Sequence, residues 1–122
     1  MSLIPLVAII DDDVSMRAAI SLVLHLDGLR TQSFVSAEAF LDAATDRETA
    51  CIVLDVRLPG IDGLELQHRL SRVPDSPPVI VISAHADDRV KARALSAGAV
   101  AFLPKPFTEE QLLETVDAAL HR

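Results

Sequence analysis

Five strand-like runs alternate with five helix-like segments along the 122 residues. The strand runs fall at residues 6–10, 30–34, 51–54, 79–82 and 100–103. Four of them are dense in Val, Ile, Leu and Ala, as strands covered on both faces are. The second, Arg30-Thr31-Gln32-Ser33-Phe34, is short and polar, which suits an edge strand. Strict strand–helix alternation requires an α/β fold with a parallel sheet. Each intervening segment is long enough for the right-handed crossover that parallel strands need.

The helix segments carry their own start and stop signals. The first opens near Val14, behind Asp13, and ends before Gly28; Ala19, Leu22, Val23 and Leu26 share the face expected to be buried. The second follows Ser36. The third follows Asp62 and presents Leu66 and Leu70. The fourth spans about residues 87–97, starts at Asp87-Asp88, turns Val90, Ala94 and Ala97 inward, and stops at Gly98. The fifth opens with Thr108-Glu-Glu-Gln111, a capping box, followed by Leu112, Leu113, Val116, Ala119 and Leu120. Each cap stabilises its helix by about 1 kcal/mol. Pro59-Gly60 and the stretch from Pro74 to Pro78 mark loops. Neither repeat nor linker divides the chain, so one domain is expected.

Net charge is −7. That excludes nucleic-acid binding through this domain, which rests on cations neutralising phosphates, and it disfavours anionic membrane surfaces. Apolar stretches fall far short of the ~20 residues that span a bilayer, and no signal peptide is visible. A cytoplasmic location is therefore expected. Cys51 is the only cysteine; it reads as a small buried strand residue. The four histidines lack metal-ligand spacing. His25, His68 and His121 read as helix-surface residues, while His85 lies beside the candidate site described next.

Asp11-Asp12-Asp13 follows the first apolar run directly, and Asp55 ends the third. In open α/β sheets ligands bind beyond the strand C-termini, where strand order reverses. If the two strands are neighbours, their carboxylates converge and repel. A hard cation relieves that repulsion; Mg²⁺ prefers one or two carboxylates with waters and a phosphate. The fourth run leads into Ser83-Ala84-His85, bringing a hydroxyl to the same edge. The fifth leads into Pro104-Lys105-Pro106-Phe107, bringing an ammonium. A carboxylate acceptor, a metal site and donors for phosphoryl oxygens are the parts that phosphoryl transfer needs.

In this order and spacing, four segments resemble the receiver domain of two-component response regulators. They are Ile10-Asp11-Asp12, the segment from Val53 to Gly63 containing Asp55-x-x-x-Pro59-x-x-Asp62-Gly63, Ile82-Ser83-Ala84, and Phe102-Leu103-Pro104-Lys105-Pro106-Phe107. Ser36-Ala-Glu-Ala-Phe40-Leu41 and Ala97-Gly98-Ala99 further resemble the FixJ-like branch. The resemblance covers essentially the whole chain. It implies a single doubly wound, flavodoxin-like (βα)5 domain over residues 1–122, with five parallel strands in the order 2-1-3-4-5. It also implies that Asp55 accepts a phosphoryl group from a sensor histidine kinase. Mg²⁺ would be held by Asp11, Asp12, Asp55 and the backbone carbonyl of Arg57. Ser83 and Lys105 would grip the phosphoryl oxygens, Ser83 and Phe102 would act as switch residues, and the Lys105-Pro106 bond would be cis. The domain is then no enzyme beyond its own phosphorylation and dephosphorylation. The face formed by the fourth helix, fifth strand and fifth helix would bind a partner or a second copy. Branch members usually carry a DNA-binding output domain, which these 122 residues do not include, and Met1-Ser2-Leu3 leaves a vector origin open.

The main alternative is a haloacid-dehalogenase-like, Mg²⁺-dependent phosphatase with Asp11 as nucleophile, because Asp11-Asp12-Asp13-Val14-Ser15 nearly satisfies that motif. It leaves Asp55 and the Lys-Pro-Phe segment without a role. A flavin module of similar topology would need a Gly- and hydroxyl-rich loop where the acidic triplet stands.

Overall fold

A computed structural model describes residues 4–43, 48–84 and 87–121. Met1 to Leu3, and His85 and Ala86, lie outside the described residues. In chain order the elements are β1 (Leu6–Ile10), α1 (Val14–Leu26), β2 (Arg30–Phe34), α2 (Ala37–Asp42), β3 (Thr49–Asp55), α3 (Gly63–Ser71), β4 (Val79–Ser83), α4 (Asp88–Ser96), β5 (Ala101–Pro104) and α5 (Glu109–Leu120). All strand pairs are parallel, in the order β2-β1-β3-β4-β5. β3 begins two residues earlier than the apolar run, at Thr49, where the β1–β3 register shifts between Leu6 and Val7.

Period-two alternation sorts the sheet into two cores. Val7, Ile9, Cys51, Val53, Ile80, Ile82 and Leu103 pack against Ile20 and Leu24 of α1 and Leu112, Val116 and Ala119 of α5. Ala8, Ile10, Ile52, Leu54, Val79 and Val81 pack against Ala37, Phe40, Leu66, Leu70 and Ala94 of the other three helices. Phe102 is half-buried on this second face. Phe34 meets Phe40 edge-to-face at 5.3 Å between ring centroids, closing the second core beside the edge strand.

Every anticipated N-cap is in place. Asp13, Ser36, Asp62, Asp87 and Thr108 each accept a backbone N–H of their helix's first turn, and Thr108 with Gln111 forms the reciprocal box. His25, His68 and His121 are exposed, and Lys105-Pro106 is cis.

The expected buried face of α1 needs correcting. Ile20 and Leu24 are fully buried, with Met16 and Val23 packed beside them, whereas Ala19, Leu22 and Leu26 are exposed. The helix carries apolar residues on two offset stripes. Which one turns inward is settled by how the capped turn after Asp13 docks the helix on β1 and α5, and periodicity does not encode that. Among the described residues no helix is long and apolar enough to cross a membrane.

Candidate functional site

Because β1 and β3 are neighbours, their C-terminal ends deliver the carboxylates to one point. A ligand oxygen from each of Asp11, Asp12 and Asp55 lies within 4.8 Å of the others. Asp11 is fully buried and Asp55 nearly so, while Asp12 is exposed. Asp13 does not join them, because its carboxylate caps α1 through Ser15 N–H at 2.8 Å and Met16 N–H at 3.4 Å.

Lys105 arrives from the loop after β5. Its Nζ donates to Asp11 Oδ2 at 2.9 Å and to Asp55 Oδ2 at 2.8 Å. The remaining oxygens are also placed: Asp11 Oδ1 accepts from Asp13 N–H at 2.9 Å, and Asp55 Oδ1 from Arg57 N–H at 3.0 Å. Lys105 N–H donates to the Ser83 carbonyl at 2.8 Å, tying the lysine loop to the end of β4. Ser83 is buried and pairs with Pro104. It stands one residue beyond Ile82, which pairs with Asp55 and whose carbonyl accepts Val56 N–H.

Burial pushes the Asp55 carboxyl up from its ordinary range, and the nearby Asp11 charge adds to the rise. Hydrogen bonds from Lys105 and Arg57 N–H oppose it without cancelling it. Burial alone would lower the Lys105 ammonium, but its bonds to Asp55 and Asp11 outweigh that and raise it. The site thus keeps one cation against three carboxylates, a donor set of hard oxygens fit for a divalent metal.

The turn after β3 is close-packed. A Cβ on Gly63 would collide with the Asp55 carbonyl and stand 2.8 Å from Val56 Cα, so the start of α3 can lie against the strand end only with glycine there. Two residues that sequence reasoning passed over also brace the site. Arg17 Nη1 donates to the Asp11 carbonyl at 2.8 Å, and Glu38 reaches the turn after β3. Arg17 lies one helical turn beyond the Asp13 cap, a spacing that could have placed it near the acidic loop. A lone glutamate in a helix's first turn offers no such signal.

A model of the response regulator receiver domain matches residues 7–117. The chain belongs to that family. It is 41% identical over 117 residues to Nodulation protein W of Bradyrhizobium diazoefficiens, covering 96% of this chain and 52% of that protein. It is 36% identical over 114 residues to Transcriptional regulatory protein FixJ of the same organism, covering 93% and 56%. Its fold matches the solved response regulator StyR with a TM-score of 0.87 at 39% identity, over 96% of this chain and 59% of that one. The receiver domain thus spans about half the length of the curated relatives it matches. Receiver domains typically need a divalent metal, and the cluster of Asp11, Asp12 and Asp55 could hold one. The alternative reading as a haloacid-dehalogenase-like phosphatase has no support. The Asp11 side chain is moreover fully buried, whereas that of Asp55 keeps 9% of its surface exposed.

Proposed function

We propose that Asp55 is the phosphoacceptor of this receiver domain, taking its phosphoryl group from a sensor histidine kinase in a Mg²⁺-dependent reaction. The observation that carries this reading is the convergence of Asp11, Asp12 and Asp55 under Lys105. A carboxylate oxygen of Asp55 attacks phosphorus, the P–N bond to the kinase imidazole breaks, and the imidazole keeps the electron pair. Asp11, Asp12, Asp55 and the Arg57 carbonyl would hold Mg²⁺, which neutralises charge on the phosphoryl oxygens when bound. Burial strips water from the Asp55 carboxylate, and Lys105 holds it oriented until the phosphoryl group arrives. Lys105 then pairs with one phosphoryl oxygen and the Ser83 hydroxyl with another.

The phosphoryl group adds roughly two negative charges and three acceptor oxygens. Drawing Ser83 toward it moves the loop before α4 and opens room for Phe102 to turn inward. Ala92, Ala94 and Ala97 give α4 little bulk to resist repacking. The face of α4, β5 and α5 then presents a new surface to an output module or a second copy. We read the output as control of transcription in the cytoplasm, by likeness to FixJ, a transcriptional regulatory protein.

Intact mass after incubation with acetyl phosphate and Mg²⁺ tests the assignment. One added phosphoryl group is expected, and none in Asp55→Asn. A gain that persists in Asp55→Asn would move the acceptor elsewhere.

A further inference from the structure

The segment from Asp55 to Gly63 carries both the proposed phosphoacceptor and the proposed Arg57 carbonyl ligand. Most of its hydrogen bonds are local. Arg57 N–H donates to Asp55 Oδ1, Gly63 N–H to the Val56 carbonyl, and Asp62 caps α3 through Glu65 N–H. Leu58 and Ile61 pack their side chains on the second core. Glu38 is different. It sits in the first turn of α2, and its Oε2 accepts from Ile61 N–H at 3.2 Å, 23 residues away.

Two further features surround this contact. Gly60 has φ of 72°, a left-handed conformation that favours glycine, and a Cβ there would collide with the Glu38 carboxylate. The helix turn that carries Glu38 is fixed, because Ala37 and Phe40 are buried and Ser36 caps the helix through Ala39 N–H at 3.0 Å, while the Glu38 side chain itself is exposed.

We propose that Glu38 is a positioning residue for the phosphoacceptor loop: its carboxylate clamps the Gly60-Ile61 peptide and so fixes the turn that carries the Arg57 carbonyl. This rests on the reading of Asp55 and Arg57 given above. Loss of the clamp leaves every metal ligand in the chain but lets the turn carrying one of them sample other geometries. The metal requirement then rises while the rate at saturating metal is retained.

The test compares Glu38→Ala with Glu38→Gln, whose amide oxygen still accepts a hydrogen bond. Two quantities are read: amide exchange at Ile61, and the Mg²⁺ concentration giving half-maximal phosphorylation by acetyl phosphate. Losing one hydrogen bond of ordinary strength corresponds to about a fivefold change in each for Glu38→Ala. Glu38→Gln is expected to stay within about twofold of the parent on both, as one retained acceptor implies. Glu38 is exposed, so both variants should fold. Unchanged Ile61 exchange and unchanged Mg²⁺ dependence in Glu38→Ala would overturn the clamp. So would a Glu38→Gln variant as impaired as Glu38→Ala, since charge rather than the acceptor would then matter. A parent protein that gains no phosphoryl group on Asp55 overturns the underlying reading and with it the clamp's role, while Ile61 exchange still reports whether the clamp itself exists.

Discussion

Lys105 Nζ stands 2.8 Å from Asp55 Oδ2, across 50 residues of sequence and at the ends of two strands that do not pair. The same nitrogen lies 2.9 Å from Asp11 Oδ2. With Asp12 included, three carboxylates gather around one ammonium, with the Arg17 guanidinium at the Asp11 carbonyl, so the cluster keeps an excess of negative charge. That excess favours a cation, and the strand order is what creates it. β1 and β3 are adjacent, and β4 spaces β5 so that its loop lysine reaches back over both.

Replacing Lys105 by Ala should therefore destabilise the domain in metal-free buffer. Asp11 and Asp55 are buried, and removing one partner of a buried ion pair typically costs about 3–5 kcal/mol. The site's open rim and the raised Asp55 carboxyl allow partial relief by protonation, so about 2–3 kcal/mol is expected near pH 7. Saturating Mg²⁺ should recover part of the loss. Urea unfolding with and without Mg²⁺ measures both effects, and an unchanged midpoint would deny the ion pair a structural role.

Asp12→Ala should act in the opposite direction. Its carboxylate is exposed and surrounded by like charge, so its removal relieves repulsion without opening a cavity. In chelator the melting temperature should rise. The stabilisation that Mg²⁺ gives the parent, which grows as RT ln(1 + [L]/Kd), should shrink or vanish. Thermal melts over a Mg²⁺ series decide this; equal Mg²⁺-induced shifts in parent and variant would place the metal elsewhere.

Gly63→Ala probes the close approach of α3 to the end of β3. The added methyl would meet the Asp55 carbonyl and Val56 Cα, both backbone and unable to yield by changing rotamer. Overpacking of this kind costs about 1–3 kcal/mol. Because the strain falls on the Asp55 backbone, phosphorylation by acetyl phosphate should slow along with the loss of stability. An alanine variant matching the parent in both measurements would show that the helix start can retreat freely.

How much of this was legible in the sequence depends on which interactions are local. Capping is local, so Asp13, Ser36, Asp62, Asp87 and Thr108 could be assigned from residue type and spacing. The buried strands were legible because both of their faces are apolar. Strand adjacency is not local: alternation calls for a parallel sheet but is silent on which strands pair, and the order came from the resemblance. The buried stripe of α1 was misjudged because Leu22 and Leu26 are as apolar as Ile20 and Leu24, and only tertiary docking separates them. Gln67 carried a signal that went unread. With Gly63, Leu66 and Leu70 it completes an i, i+3, i+4, i+7 face, and it is indeed buried, its Oε1 without a hydrogen-bond partner. Glu38 had no such signal, since its partner is a backbone N–H that the fold brings from another loop.

Cys51 gives a prediction that does not involve the site. It is fully buried in β3, and burial pushes its thiol up to about 12 from an ordinary 9.0. In the unfolded chain the thiol ionises above pH 9, whereas in the folded domain it stays protonated until about pH 12. Between these values the unfolded state binds fewer protons, so stability must fall as pH rises, by about 1.4 kcal/mol per pH unit. Lys105, also raised, adds a loss of the same sign, but only once pH passes its ordinary value of 10.5. The window from pH 9 to 10.5 therefore isolates the cysteine. Urea unfolding across it should show a decline in the parent that is markedly shallower in Cys51→Ala, although the variant starts lower because it leaves a small cavity. The native thiol should also resist iodoacetamide at pH 8 and react once urea unfolds the chain, because the thiolate is the nucleophile. Parallel pH dependence in parent and variant, or prompt labelling of the folded protein, would show that the β3 core is open to water.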